Sequence, residues 1–456
     1  MRVVRFHPLL ITGCAILIAV TAQSVAAATL CVNTAGSAGC YSKIQTAVGH
    51  ASPFDVIRVA PGTYNEDVTI GIPLSLLGVG AGNTVIDASG LANGIYVDGY
   101  DNPGLHHVTV AGFTVENAQF EGILVVSASD VTIRANHILD NDKVGPVFNP
   151  AGTGCPGQPA FETDETGDCG GALHLIGTSN SIAADNLMTG NADGILISDE
   201  TAEARDNLIL HNTVKNNPLD CGIVLASHAP VGSAPPYFAP HFGIDHNTVA
   251  DNISANNGVK VGGAGVGLFS DGNGPGRTSD NVIIRNTLTG NGIAGVALHT
   301  HVGPNFGAPA DNMDGNQIIG NYIASNLADE GDTATPGRVG ININSGGGGS
   351  PVWGTIITQN TITDEDVDIA FNTPATVDIH LNDLRGGKIG VANVCAYDHV
   401  ATCNGASDAT ENFWGCPAGP GWPGCTKTYG ANILTTPWLQ MPVTNEDEGG
   451  NGDNQQ

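Results

Sequence analysis

Apolar and polar residues alternate in short runs along the chain, and the same run returns many times. The plainest example is residues 131–141 (VTIRANHILDN), in which two asparagines, Asn136 and Asn141, stand five residues apart. Four further segments share this frame, with the pairs Asn186/Asn191, Asn212/Asn217, Asn286/Asn291 and Asn321/Asn326. A strand led by a glycine follows several of them, at Gly194, Gly222, Gly295 and Gly340.

This pattern predicts a solenoid of β-strands. Side chains two apart on a strand share a face, so alternation predicts strands with one apolar face, and a repeat of a few tens of residues predicts stacked units. A parallel β-helix satisfies both. The asparagines fall where the chain must turn, and an amide there can bond the backbone and its own copy in the next coil, which predicts asparagine ladders. The alternative, asparagines in separate surface turns of a β-sandwich, predicts hairpins without a fixed repeat.

The first coil needs a cap, because it would otherwise expose core side chains and unpaired strand edges. Residues 42–48 (SKIQTAV) begin with Ser42 and carry Gln45 three residues later, a capping-box pattern followed by apolar residues at helical spacing. We expect a short helix here. Two places depart from the repeat: Phe113 stands where later units have asparagine, and residues 246–257 break the five-residue spacing.

The first residues have the composition of a secretory signal peptide. Arg2 and Arg5 precede an apolar run that ends in small side chains at residues 25–27 (VAA). A lipoprotein signal at Cys14 is the alternative, although the apolar run continues past that cysteine. We expect residues 1–27 to be a removed signal peptide, residues 28–440 a single β-helix domain, and residues 441–456 a disordered acidic tail. The protein is then secreted or periplasmic, without a membrane-spanning segment.

Acidic residues dominate the charge. The chain has 15 Lys+Arg and 44 Asp+Glu, a formal charge of −29, and loss of the signal peptide removes two arginines and no acids, which gives −31. Nucleic acid is excluded as a partner, because phosphate binding depends on Lys and Arg clusters. Uronate polymers are disfavoured unless Ca²⁺ bridges the like charges, whereas neutral glycans, cations or a metal ion are easier. The acidity also has a simpler interpretation, the solubility of an exported monomer.

Nine cysteines remain after signal removal, and export permits disulfides. Eight of them form close sequence pairs: Cys31/Cys40, Cys155/Cys169, Cys395/Cys403 and Cys416/Cys425. Spacing does not fix connectivity, so local pairing is a hypothesis. Cys221 is left over, and we interpret it as a buried thiol and not as a nucleophile.

Residues 55–64 (DVIRVAPGTY) and 73–78 (PLSLLG), and the order of parts that follows, resemble the opening of the pectin-lyase-like right-handed β-helix superfamily. The resemblance covers roughly residues 40 to 440. It implies an all-β fold, a right-handed parallel β-helix of roughly ten coils with PbH1-type repeats. It implies no single activity, because the superfamily includes lyases, hydrolases, epimerases, adhesins and non-enzymes. The asparagine pairs, with residues 412–415 (NFWG) and 437–439 (PWL), look most like NosD-type periplasmic proteins tied to copper delivery, and like uncharacterised secreted β-helix proteins.

Candidate site residues lie where the glycine-led strands end. The sixth residue after the leading glycine is, in four units, Glu200, His228, Asp271 and His301. Equivalent positions of a β-helix stack about 4.8 Å apart, so these residues should form a column, and His299 should point the same way. His174, counted from Gly170, is expected at the His299 position of its own unit. Such side chains suit a transition metal or an acid/base pair, although strand ends are ordinarily lined by solvated polar residues.

Loops at residues 142–169, 228–241, 271–280, 301–315, 327–338 and 346–354 interrupt the coils, and long loops on a rigid scaffold often carry function. Aromatic residues near the same edge are Tyr237, Phe238, Phe269, Phe306 and Trp353. Rings beside a groove can hold sugar rings. They can equally anchor loops onto the coils.

Known carbohydrate chemistries leave the reaction open. Elimination from a uronate needs a Lys or Arg base and a Ca²⁺ or Arg to neutralise the carboxylate, and the cations here are scattered: Arg205, Lys215, Arg285 and Arg338. Hydrolysis needs two carboxylates across a cleft, for which the candidates are Asp193, Asp199, Glu200 and Asp220. The acid-rich residues 162–168 and 364–368 could ligate Ca²⁺ or form a solvated face.

We therefore predict an exported β-helix protein that binds, and in one version cleaves, carbohydrate along a loop-walled groove. One alternative is a NosD-type metal-handling protein that holds copper or zinc with His228, Asp271, His299 and His301. A second alternative is a non-enzymatic structural or surface-interaction solenoid. Whether the chain is an enzyme stays open at this point, and no cofactor is certain.

Overall fold

The chain forms a right-handed parallel β-helix in the computed structural model. The structure describes residues 27–143, 159, 161, 170–232, 241–270, 275–300, 311–329, 337–345, 352–394 and 405–443. Three long sheets, which we call A, B and C in the order of the chain, run the length of the helix, and every strand pairs in parallel with the equivalent strand of the next coil. Within these ranges sheet B, the shortest of the three, has 11 strands, in agreement with the expectation of roughly ten coils.

The strands of sheet A are Thr29–Val32, Asp55–Val59, Leu74–Gly78, His106–Ala111, Ser129–Arg134, Ile182–Ala184, Leu208–Leu210, Thr248–Ala250, Val282–Ile284, Gln317–Ile319, Ile356–Thr358, Thr376–His380, Ala406–Asp408 and Ile433–Leu434. The strands of sheet B are Gly62–Tyr64, Thr84–Asp87, Thr114–Glu116, His137–Leu139, Leu187–Thr189, Thr213–Lys215, Ile253–Ala255, Thr287–Thr289, Tyr322–Ala324, Thr361–Thr363 and Asp383–Leu384.

The strands of sheet C are Val68–Ile70, Ile95–Asp98, Ile123–Val126, Leu173–Ile176, Ile195–Ser198, Ile223–Ser227, Val266–Ser270, Ala294–Thr300, Val339–Asn344, Val367–Asn372, Ile389–Asn393 and Lys427–Tyr429. A small fourth sheet pairs Ala204–Arg205, Ile244–Asp245 and Thr278–Ser279.

Alternate side chains of all three sheets fill the interior of the tube. Val131, Ile133 and Ile138, the apolar positions of the sequence frame, are buried in one continuous core that extends from Val32 to Trp414. Fully burying an aliphatic side chain of this size contributes about 1.5–3 kcal/mol, so the stack of apolar columns is the main driving force for the fold.

Asparagine ladders occupy the corners, as expected. The first runs between sheets A and B and contains Asn136, Asn186, Asn212, Asn252, Asn286, Asn321, Asn360, Asn382 and Asn412. At each step one Oδ1 accepts both the backbone N–H and the Nδ2–H of the preceding rung, at 3.0 and 3.2 Å for Asn136 on Asn186. The residue before the asparagine commonly has positive φ, as at Ala135 and Asp185, which turns the corner.

The other two corners have ladders of their own. The second, between sheets B and C, contains Asn141, Asn191, Asn217, Asn257, Asn291 and Asn326 and ends on Glu365. A third, at Asn207, Asn247, Asn281 and Asn316, was not predicted, although these asparagines open several of the sequence frames. Residues 246–257 supply one rung to each ladder, so the expected break in spacing there is wrong. Phe113 does take a rung position, where its backbone N–H donates to Asn136 Oδ1 at 3.0 Å.

The capping helix is present and spans Ile44–His50, with Ile44, Ala47 and Val48 buried over the first coil. The predicted capping box is wrong. Lys43 is the N-cap and makes no side-chain cap bond. The helix N-terminus is capped instead by Glu66, whose carboxylate oxygens accept the N–H groups of Ile44 and Gln45 at 2.9 and 3.0 Å. A distant acid replaces the local cap because the next coil brings it under the helix end.

Two of the four predicted local disulfides are found, one near each end of the described chain. Cys31 bonds Cys40, and Cys416 bonds Cys425, so these two pairings of sequence neighbours are present as expected. The other two predicted pairings fall on residues outside the described ranges and stay predictions, since the structure describes none of their four cysteines: Cys155 with Cys169, and Cys395 with Cys403.

Cys221 is a buried free thiol, as expected. Burial raises its pKa, and its sulfur accepts the N–H of Ala264 at 3.1 Å. A thiol that stays protonated is a poor nucleophile, which agrees with a structural role. Among the described residues, no helix has the length and apolar character needed to cross a membrane.

Candidate functional site

The outer face of sheet C consists of two columns of side chains that point away from the core. The first column contains Tyr96, Leu124, His174, Leu196, Val224, Gly267, Ala297, Asn342, Ala370 and Ala392. The second contains Asp98, Val126, Ile176, Ser198, Ala226, Phe269, His299, Asn344 and Asn372. Both columns repeat at the coil spacing of about 4.8 Å.

A chain of five hydrogen-bonded polar side chains crosses this face. Glu121 Oε1 lies 3.0 Å from His174 Nδ1, and His174 Nε2 lies 2.8 Å from Ser198 Oγ. Ser198 Oγ donates to Glu200 Oε2 at 2.5 Å, and Glu200 Oε1 lies 2.6 Å from His228 Nδ1. We call this set the relay. It links four successive coils.

The protonation of the relay follows from Glu200. Burial alone would raise the pKa of this carboxyl, but the charges of His228 and His174 and the hydrogen bonds from His228 and Ser198 outweigh burial and hold it below its ordinary value. An ionised carboxylate only accepts, so Ser198 donates to it and itself accepts the Nε2–H of His174.

The relay is sealed at one end and accessible at the other. The side chains of Glu121 and His174 are 1% exposed and that of Glu200 is 0% exposed, whereas that of His228 is 13% exposed. His228 is thus an imidazole held through Nδ1 by a buried carboxylate and open in part to the surface, an arrangement suited to moving protons.

Asp199, next to Glu200, holds the backbone of His228 in place. Its Oδ1 accepts the N–H of His228 at 2.8 Å, and its Oδ2 accepts the N–H of Gly243 at 2.5 Å and the hydroxyl of Ser227 at 3.2 Å. Burial is the main reason that the pKa of Asp199 is raised to about 7, and the charge of Glu200 raises it further. The hydrogen bonds from Gly243 and His228, and the charge of His228, lower the pKa in part. Asp199 therefore changes charge near neutral pH.

Ser227 also contacts His241, but the three side chains are not a nucleophilic triad. Ser227 Oγ lies 2.9 Å from His241 Nδ1 and accepts the N–H of Arg277 at 3.1 Å. In a nucleophilic triad the histidine stands between serine and carboxylate, whereas here the serine stands between histidine and Asp199. This group positions the turn after the strand.

The structure brings together part of the predicted column. Glu200 and His228 are in direct contact, while Asp271 and His301 lie outside the described residues. His299 lies in the second column, three coils from Ser198. His174 is not at the His299 position: it aligns with Leu196 and, farther along, with Ala297. The strand ladder of its unit begins at Leu173, so Ala172 and not Gly170 is the leading residue, and the register moves by two.

The predicted aromatic residues are only partly placed. Phe269 lies on the outer face of sheet C, half-buried, with its ring centroid 6.3 Å from that of His299. Trp353 is exposed, just before a strand of sheet A, and its backbone N–H donates to Asp314. Tyr237, Phe238 and Phe306 lie outside the described residues.

The acid-rich residues 364–368 do not converge. Asp366 pairs with Arg338 at 3.3 Å, Glu365 turns inward to end the second ladder, and Asp368 is buried in the column of leading glycines. In the part of the chain that the structure describes, no group of three or more His, Cys, Asp or Glu side chains is arranged to hold a metal ion.

Sequence reasoning missed Glu121 and Ser198, which complete the relay. Ser198 and Glu200 are two residues apart and therefore on one face of the strand, which was a usable signal. Glu121 had a weaker one, since it directly precedes Gly122, which aligns with the leading glycines.

Comparisons with known proteins agree on the fold. A family model described as "Right handed beta helix region" matches residues 80–234, and no curated protein matches the chain. The A-module of a mannuronan C-5 epimerase from Azotobacter vinelandii is similar in structure at 16% identity, with 88% of this chain and 95% of that chain covered and a TM-score of 0.47. The Dettilon tailspike protein is similar at 13% identity, with 86% and 64% covered and a TM-score of 0.50.

The catalytic unit of an α-1,3-glucanase from Streptomyces thermodiastaticus is a further similar structure, at 14% identity, with 87% of this chain and 65% of that chain covered and a TM-score of 0.46. Two of these three proteins are carbohydrate-active enzymes by name, and at such identities the likeness concerns the fold. The chain has the right-handed parallel β-helix fold, and residues 80–234 match the family model of that region.

Proposed function

We propose that the chain is a carbohydrate-processing enzyme that binds a polysaccharide along the outer face of sheet C, with His228 as its acid/base group. The observation that carries the proposal is the relay. Its five polar side chains are joined one to the next by hydrogen bonds and are buried except at His228. Burial of charged groups is costly. The fold does not require a buried polar side chain at His174, because Leu196, Val224 and Ala297 fill the equivalent positions of other coils with apolar side chains.

The shape of the face supports a polymeric substrate. Identical backbone positions recur at every coil, about 4.8 Å apart, so the face offers similar contacts repeatedly along its length. A polymer of repeating sugar units can use such a surface over several coils, whereas a small metabolite would use one place on it.

His228 supplies the proton transfer that cleavage of a glycosidic bond needs, whether by hydrolysis or by elimination. Glu200 fixes the imidazole by accepting from Nδ1, and Asp199 fixes the backbone that carries it. Glu121, His174 and Ser198 act through Glu200 and are positioning residues. Copper or zinc handling remains the alternative, with no observation in the described residues that favours it.

We also propose export of the protein. Residues 1–27 have the pattern of a signal peptide, and the Cys31–Cys40 and Cys416–Cys425 disulfides suit an oxidising compartment.

The test is turnover by the full mature chain on soluble neutral and acidic polysaccharides, read as new reducing ends and as ultraviolet absorbance of unsaturated products. His228→Asn keeps a donor for Glu200 but cannot shuttle protons, so we expect turnover to fall by about 100-fold or more. His211→Asn is the matched control, because His211 is an exposed histidine on another sheet edge. Turnover that survives in His228→Asn would contradict the proposal, as would stoichiometric copper or zinc after dialysis with no turnover.

A further inference from the structure

We infer that the outer face of sheet C binds an uncharged polysaccharide, with one sugar stacked on the ring of Phe269. That ring lies in the space left by the absence of a side chain at Gly267. The inference rests on the proposed function and names the substrate class of the same site. Three observations carry it: the position of the ring, the charges on the face and the pairing of the nearby cations.

The ring of Phe269 folds back over Gly267 of its own strand. A β-carbon on Gly267, two residues earlier on the same face, would lie 2.2 Å from Phe269 Cε2 and 2.8 Å from Cζ. The ring therefore fills the space of the missing side chain, beside the sulfur of Cys221, and does not stand out from the sheet. Phe269 is half-buried, so one side of the ring packs on the sheet and the other is turned away from it.

This ring is close to the acid/base group. Phe269 and Ala226 are register partners, and Ala226 lies two residues before His228 on the preceding strand. A polysaccharide that runs along the helix axis and stacks one unit on Phe269 would place its next unit one coil away, about 4.8 Å, on the His228 side. The apolar face of a sugar ring suits an aromatic platform, and the neighbouring positions Val224 and Ala297 add apolar contact.

The face lacks the charges that a uronate would need. Lys427, in the last strand, is the single Lys or Arg in the described strands of sheet C. The relay adds Glu121 and Glu200 to the same face, each beside a histidine, and Asp98 lies in its second column. A polyanion would find no Lys or Arg in the described strands near Phe269 to balance its carboxylates, and it would meet the acids of the face.

Nearby arginines are already paired with carboxylates. Arg277, whose backbone N–H donates to Ser227, forms ion pairs with Asp245 at 2.5 Å and with Glu203. Arg338, before a later strand of sheet C, binds Asp366. Moving Arg277 to a substrate would break its ion pairs with Glu203 and with the buried Asp245, and moving Arg338 would break its pair with Asp366.

The experiment measures retention of the full mature chain in native gels that contain dextran, hydroxyethylcellulose, galactomannan or soluble starch, and in gels with alginate or polygalacturonate. We expect retention by at least one neutral polymer and by neither uronate. Phe269→Ala should weaken affinity for the retaining polymer by about tenfold. Gly267→Ala keeps the ring but displaces it, so we expect a loss of similar size.

Two controls match these variants. Gly82→Ala adds the same methyl group where it meets nothing within 4 Å, and Phe54→Ala removes an exposed ring far from the face. Both should keep wild-type retention. Thermal unfolding of each variant verifies the fold, and Phe269→Leu, which keeps apolar volume without a ring, separates stacking from packing.

Retention by a uronate and by no neutral polymer, or by nothing in the panel, overturns the inference. Full retention of Phe269→Ala would show that no sugar stacks on this ring. Full retention of Gly267→Ala would show that the position of the ring over Gly267 does not matter for binding. His228-dependent cleavage of a uronate would uphold the proposed function while this inference falls. Phe269-dependent binding of a neutral polymer without any turnover would do the reverse.

Discussion

Glu365 stands in the second ladder at the position of an asparagine. Its Oε1 accepts the backbone N–H and the Nδ2–H of Asn326, both at 2.9 Å, as an asparagine oxygen does elsewhere. Burial raises the pKa of Glu365 to about 7 against the effect of these two bonds. The folded state thus holds the proton more tightly than the unfolded state does, so the stabilisation is full below about pH 4.5 and is lost as pH rises through 7.

Glu365→Gln should remove this pH dependence, because the amide keeps the accepting oxygen and never ionises. We expect the variant to equal wild type at pH 4 and to be more stable at pH 8, by up to about 3 kcal/mol. Denaturant unfolding at the two pH values measures the difference. Glu411→Gln, at an exposed position, is the control; equal pH profiles for wild type and Glu365→Gln would contradict the argument.

At the residue scale, sequence identified what repeats and missed what occurs once. Asn360 and Glu365 are five apart, so the spacing that found the asparagine pairs also contained this rung, but an acid there does not follow the rule. Glu200 and His228 were found because each ends a repeat. Glu121 was not, since its contact with His174 depends on how the coils stack.

Among the elements, the capping helix shows how a local signal can be replaced by a distant one. Ser42 and Gln45 have capping-box spacing, yet the helix begins at Ile44 and its first N–H groups donate to Glu66. Gln45 instead bonds the strand Val68–Ile70 through Thr69, with its side-chain oxygen accepting the Thr69 N–H at 2.7 Å. The helix was predictable from its apolar pattern, whereas its cap was not.

Glu66→Ala should destabilise the N-terminal end of the solenoid, since the N–H groups of Ile44, which is buried, and of Gln45, which is partly buried, lose their acceptor. Loss of a helix cap costs about 1 kcal/mol and up to about 2. Ser42→Ala, the change that local sequence would indicate, should have almost no effect. Hydrogen exchange of residues 44–50 and the unfolding midpoint measure both variants, and a larger effect of Ser42→Ala would show that the cap is local after all.

The register of strands was the least predictable element-scale property. Counting from Gly170 put His174 in the wrong column, because the residues before that strand belong to a long insertion and the ladder starts at Leu173. An offset of two keeps a side chain on the same face of the strand, so the alternation of apolar and polar residues gave no warning.

For the whole molecule, each coil contacts chiefly the coils before and after it, so stability is approximately a sum of coil and interface contributions. The ladders belong to the interface contributions. Asn252, near the middle of the first ladder, accepts two bonds from Asn212 and donates through Nδ2 to Ile209 O at 2.9 Å and to Asn286 Oδ1 at 3.0 Å. It is 1% exposed, so water cannot replace these bonds.

Asn252→Ala should therefore cost about 2–5 kcal/mol, since it leaves several buried polar groups of adjacent coils unsatisfied. In a one-dimensional stack the damage concentrates at one interface, and we expect unfolding to become less cooperative, with limited proteolysis cutting between the two halves of the chain. Asn83→Ala, at an exposed asparagine outside the ladders, should leave both readouts unchanged. A single, cooperative transition at the wild-type midpoint for Asn252→Ala would mean that the apolar columns alone hold the coils in register.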